Sequence, residues 1–71
     1  MQIGDIVHLG GQKAEYSRFG KDGFSSCILP EGTYVVIGMD DDYVSLAWRE
    51  VDGSVSRKHR YRIERSAMEE A

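Results

Sequence analysis

The dipeptide Asp52-Gly53 stands between two segments that alternate apolar and polar residues, Tyr43–Val51 and Ser54–Ile63. Such a pair between alternating runs is a β-hairpin signature, because a type I′ turn needs positive φ at both central positions. With those two residues as the loop, Val51 faces Ser54, Glu50 faces Val55, Arg49 faces Ser56, Trp48 faces Arg57, Leu46 faces His59 and Val44 faces Tyr61. One face then carries Val44, Leu46, Trp48, Val55, His59, Tyr61 and Ile63, with Glu50 and Arg57 near the turn. The other carries Tyr43, Ser45, Ala47, Arg49, Ser56, Lys58, Arg60 and Arg62. The first set reads as the core side. A slip of one residue would bury the basic set instead, so the pattern fixes which side faces in.

The rest of the chain is also cut into short strand-like pieces. Ile3–Leu9 predicts a first strand that Gly10-Gly11 ends. Gln12–Ser26 mixes Tyr16, Phe19 and Phe24 with Gly20 and Gly23, and reads as a long irregular loop with room for a short strand or helical turn. Ile28-Leu29 leads into a turn at Pro30-Glu31-Gly32. Thr33–Met39 is β-branched and aromatic, with Gly38 marking a bulge or bend. Asp40-Asp41-Asp42 is a tight acidic turn. Residues 66–71 read as a tail, frayed or briefly helical, after a domain spanning 1–65.

No stretch keeps a helical period for long, and 71 residues allow one small domain. Four to five short antiparallel strands with a long loop after the first predict an all-β fold, a small SH3-like barrel. So small a core leaves room for a partner or a homo-oligomer to add stability. No apolar run is long enough to cross a membrane as a helix. No secretory leader is recognisable. The single Cys27 has no internal disulfide partner, so a reducing cytoplasm is the expected location, with Cys27 acting as a small core residue beside Ile28 and Leu29.

The opening Gly4-Asp5-Ile6-Val7-His8-Leu9-Gly10-Gly11 and the later Val44-Ser45-Leu46-Ala47-Trp48, Asp52-Gly53 and basic return strand resemble a group of short uncharacterised bacterial and phage proteins with SH3-like barrels. The likeness covers about half of the chain. It implies a binding module in a prokaryotic or phage setting, without catalytic residues. Residues 12–30 depart from the shorter pattern of that group as an insertion.

Charge is uneven along the chain. Nine Lys and Arg against twelve Asp and Glu give a net charge of −3. Residues 49–65 hold six cations (Arg49, Arg57, Lys58, Arg60, Arg62, Arg65) against three anions (Glu50, Asp52, Glu64), a local +3, which leaves −6 for the remainder. Arg49, Lys58, Arg60 and Arg62, with Tyr43 among them, are therefore the candidate contact set for nucleic acid or an acidic protein surface. A solvated sheet face, or one neutralised by Asp40–Asp42, is the plainer alternative. Tyr16, Phe19 and Phe24 form a second candidate contact, as an aromatic patch or as a cap on the core. Trp48 beside Arg57 suggests an indole–guanidinium contact.

Catalytic and cofactor chemistry finds no support in the motifs. Three adjacent aspartates lack the alternating ligands, glycine and final glutamate of a calcium loop. His8 and His59 have no Cys or His partner at zinc-ligand spacing. Gly20-Lys21-Asp22-Gly23 lacks the spacing and the Lys-Ser/Thr ending of a phosphate loop. The expectation is a non-enzymatic binding module with no metal, no cofactor, no small-molecule substrate and no membrane contact. Its leading partner is nucleic acid or a nucleoprotein complex. The alternative is a protein adaptor or inhibitor, of phage or mobile-element origin, that uses the same hairpin or the aromatic 12–26 loop.

Overall fold

The computed structural model describes residues 1–18 and 23–70. Its six strands are β1 (Ile6–Leu9), β2 (Lys13–Arg18), β3 (Ser25–Ile28), β4 (Gly32–Met39), β5 (Tyr43–Arg49) and β6 (Val55–Glu64), followed by a short helix, α1 (Arg65–Glu70). All belong to one antiparallel sheet in the order β1-β4-β5-β6-β2-β3. The fold is all-β, with six strands in place of the expected four to five. The extra strands come from the stretch read as an irregular loop. Lys13–Arg18 alternates in burial and pairs with Ser25–Ile28, so most of residues 12–26 is a hairpin.

The β1·β4 and β2·β3 ladders share one register. Counting back from Lys13↔Ile28 reaches Leu9↔Gly32 without a slip. Main-chain bonds bridge the interval: Leu29 N–H donates to the Gln12 carbonyl at 2.8 Å, and Gly11 N–H donates to the Leu29 carbonyl at 2.9 Å. Residues 6–16 and 25–35 therefore share one long antiparallel ladder bent in the middle. The bend needs glycine. Gly11 takes φ +86, and a Cβ on Gly10 would stand 2.6 Å from the Glu31 Cα. The two halves then serve different neighbours, since β4 pairs with β5 while β2 pairs with β6.

One face of the sheet collects the core: Leu9, Ala14, Leu29, Tyr34, Val36, Val44, Leu46, Ile63 and Met68. Tyr34 lies at its centre with no exposed surface. Its ring meets Trp48 and Tyr61 edge-on at 5.3 Å and 5.7 Å, and its hydroxyl donates to the Pro30 carbonyl. Met68 brings α1 onto the core, so the terminal segment is helical and docked rather than frayed.

The β5–β6 hairpin forms with a different turn and register. Asp52 does not take positive φ; Gly53 does, at φ 90. Gly53 N–H bonds the Glu50 carbonyl, and Glu50 N–H bonds the Ser54 carbonyl, so the loop is Val51-Asp52-Gly53. The Asp52 carboxylate takes the Ser54 N–H and hydroxyl, which holds the turn without left-handed geometry at Asp52. Arg49 now faces Val55, and a bulge separates this pair from Ala47↔Arg60. Leu46 consequently faces Tyr61, and Val44 faces Ile63, a slip of two from the expected pairing. An even slip preserves the faces, so Val44, Leu46, Tyr61 and Ile63 still point inward. Val55 does not; it is 41% exposed beyond the bulge. The first strand is shorter than expected, and Ile3 is exposed because Gly4, at φ +99, turns the chain before β1.

Candidate binding surface on the outer face

The outer face of β5, β6 and β2 holds Arg60 and Arg62, two of the basic residues singled out in the sequence. Ser45 faces Arg62, Ala47 faces Arg60, Glu15 faces Arg62 and Ser17 faces Arg60. This face is not a uniformly solvated row. Ala47 and Ser17 are buried, and Arg60 and Arg62 are half-buried. Phe24, just before β3, lies over them: the Arg62 Cζ is 3.9 Å from its ring centroid, and the Arg60 Cζ is 5.4 Å away. Tyr43 flanks the Arg62 Cζ at 4.5 Å. A guanidinium between two aromatic faces is favourable because the ring quadrupoles are negative on their faces.

Glu15 completes the arrangement. Arg62 Nε donates to Oε1 at 3.2 Å and Nη2 donates to Oε2 at 3.3 Å, a two-pronged pair between half-buried side chains. Arg62 is thus committed to this contact and holds β6, β2 and Phe24 together. Glu15 did not emerge from the sequence as a site residue. The alternation in Lys13–Arg18 was the signal that could have placed it on an outer face.

Two expected members stand apart. Arg49 and Lys58 are exposed, but the bulge moves them away from the Phe24–Arg62–Tyr43 stack. The main chain at Lys58 is fixed by its N–H donating to the Ser56 hydroxyl at 3.3 Å. Tyr16 and Phe24 do not form one aromatic patch: Tyr16 faces Tyr61 and meets the His59 ring edge-on at 5.9 Å. Phe19 and the side chain of Arg57 lie outside the described residues, and the expected Trp48–Arg57 contact lies outside them too.

The acidic turn organises itself. The Asp40 carboxylate accepts the N–H groups of Asp42 and Tyr43 at 2.8 Å and 2.6 Å, and these bonds hold its pKa below the usual carboxylate value. Arg65 caps the turn, its N–H donating to the Asp42 carbonyl and Nη1 to the Asp40 carbonyl. The Ser54 hydroxyl, and then its N–H, hold the Asp52 carboxyl below its usual value as well. Among the described residues no three His, Cys, Asp or Glu side chains converge as a metal site, and no helix is long and apolar enough to cross a membrane. Cys27 is half-buried against the core. Burial, then the nearby Glu15 charge, pushes its thiol pKa up, which favours the unreactive protonated form. His8 is exposed on β1, its Nδ1 3.0 Å from the Thr33 hydroxyl.

Beside the stack runs an open groove of about 690 Å³, lined by Lys13, Glu15, Ile28, Tyr43, Arg62 and Glu64 among others. Its charges balance, with two cations and two anions among those six. No known protein family, curated protein or solved structure matches the chain.

Proposed function

We propose that the chain is a small SH3-like binding module that contacts nucleic acid, free or within a nucleoprotein complex, through the β5–β6 hairpin. The barrel reading is supported by the bent ladder of residues 6–16 and 25–35, whose halves pair with opposite members of the β5–β6 hairpin. Such bending is how small barrels wrap a short sheet around one core.

The observation that carries the functional reading is the exposure of Arg49 and Lys58 on the hairpin, while three carboxylates of the sheet and its turns are engaged within the protein. Glu15 is held by Arg62, Asp40 by main-chain N–H groups and Asp52 by Ser54. Phosphates are the fitting counter-charge for these two exposed cations. Binding that rests on about two cations is weak and salt-sensitive, with a log–log salt slope of about −1.4 for a single strand.

The test is fluorescence anisotropy of a short labelled single-stranded oligonucleotide at about 50 mM and about 200 mM salt. The expected result is binding at low salt, lost by roughly tenfold or more in the Arg49→Glu, Lys58→Glu double variant with an unchanged circular dichroism spectrum. No anisotropy change at the lower salt overturns the reading. Retention of a protein partner after nuclease treatment would favour the adaptor alternative.

A further inference from the structure

The sheet ends on β3, and the second edge of that strand meets no other described strand. Leu29 turns both of its main-chain groups toward residues 11 and 12. Alternation along an antiparallel strand then points the main-chain groups of Cys27 and Ser25 toward β2, and those of Ser26 and Ile28 outward. No bulge interrupts this pairing between Lys13↔Ile28 and Tyr16↔Ser25. Natural edge strands are usually guarded by charge, proline or a bulge. Ser25-Ser26-Cys27-Ile28 has none of these, and Ile28 is 62% exposed.

We propose that two copies of this chain associate through their β3 strands, antiparallel about a two-fold axis at Cys27. In that register Ser26 lies opposite the partner's Ile28, and the two exchange N–H and C=O bonds. Cys27 lies opposite the partner's Cys27 as a non-hydrogen-bonded pair. Other registers fit less well. An axis between Ser26 and Cys27 sets outward groups against inward ones. An axis at Ile28 brings Ser26 opposite the partner's Pro30, which has no N–H to give. An axis at Ser26 brings Ile28 opposite the partner's Phe24, which lies outside β3 and is packed over Arg62.

Charge agrees with the two-fold. On β2, Lys13 stands beside Ile28 and Glu15 beside Ser26. Each row across the joined sheets then runs Lys13, Ile28, the partner's Ser26, the partner's Glu15. Unlike charges end the two symmetry-related rows that pass through Ser26 and Ile28, about 14 Å apart across three strand spacings. The partner's Ile28 also extends the apolar wall of the groove beside β3. This interface goes beyond the nucleic-acid reading and does not depend on it, because Arg49 and Lys58 belong to the other hairpin.

The test is sedimentation of the full chain under reducing conditions from micromolar to submillimolar concentration. The expected result is a concentration-dependent dimer. Ser26→Pro removes one outward N–H and leaves the β2 ladder intact, and it should yield monomer with an unchanged circular dichroism spectrum. Should that variant fail to fold, Ile28→Lys supplies the same readout by placing charge beside the edge. A monomer at every concentration overturns the proposal, as does a dimer that persists in both variants.

Discussion

The guanidinium of Arg62 lies 3.9 Å from the centroid of the Phe24 ring, while its nitrogens hold Glu15. One side chain thus pins the end of the β2–β3 hairpin to β6. A double-mutant cycle with Phe24→Leu and Arg62→Gln should give a coupling of about 0.5–1 kcal/mol in urea unfolding. Additive single-variant effects would mean that the stack is a coincidence of packing.

Gly32 lies beneath the indole of Trp48. A Cβ there would stand 2.7 Å from Cζ3 and nearer still to Cη2. The ring is rigid and also meets Tyr34, so it has little room to yield. Gly32→Ala should cost about 1–3 kcal/mol. Trp48→Phe shortens the ring, and in that background Gly32→Ala should lose most of its cost. Equal penalties in both backgrounds, measured by thermal unfolding, would refute the contact.

Helix α1 has six residues, too few to persist alone in water. Its order depends on Met68, 6% exposed against the core. Met68→Ala should cost about 2 kcal/mol and release the segment to fast amide exchange. Unchanged protection of residues 65–68 would show that the helix stands without this anchor.

The inner face was legible because Val44, Leu46, Tyr61 and Ile63 alternate, and a two-residue slip cannot disturb alternation. The turn was not. Asp-Gly serves a type I′ pair and also a three-residue loop whose last glycine alone is left-handed, and the Ser54 bonds to Asp52 selected the second. The pairing of β2 with β3 was hidden because Ser25-Ser26-Cys27 lacks the apolar alternation that marks a strand. The Arg62–Glu15 pair spans 47 residues of sequence and becomes visible only once β2 lies beside β6.

Asp40 accepts two main-chain N–H bonds in its ionised form, so folding lowers its pKa from the usual 3.8. A group lowered in the folded state stabilises it above the unfolded value, and the gain fades as pH falls through the folded value. Asp40→Ala should therefore destabilise the protein at neutral pH and flatten the loss of stability below about pH 4. Asp40→Asn keeps an acceptor oxygen and should fall between. Denaturation curves at several acidic pH values decide it: parallel acid profiles for native and Asp40→Ala protein would remove Asp40 from the account.

At the alkaline end the sign is opposite. Burial raises the pKa of both Tyr34 and Tyr61 above the ordinary tyrosine value of 10.0. Below that value both states carry the proton and the groups leave stability unchanged. Above it the unfolded chain ionises while the folded one resists, so stability falls with rising pH, by at most about 1.4 kcal/mol per pH unit for each tyrosine. Tyr34 contributes most directly, being fully buried with its hydroxyl on the Pro30 carbonyl. Tyr34→Phe loses that bond, at about 1 kcal/mol near neutrality, and also loses the ionisable group. Its unfolding midpoint should start lower and fall less steeply than that of the native protein between about pH 9 and 12. Two curves that descend in parallel would assign the alkaline loss to Tyr61 and the exposed charges instead.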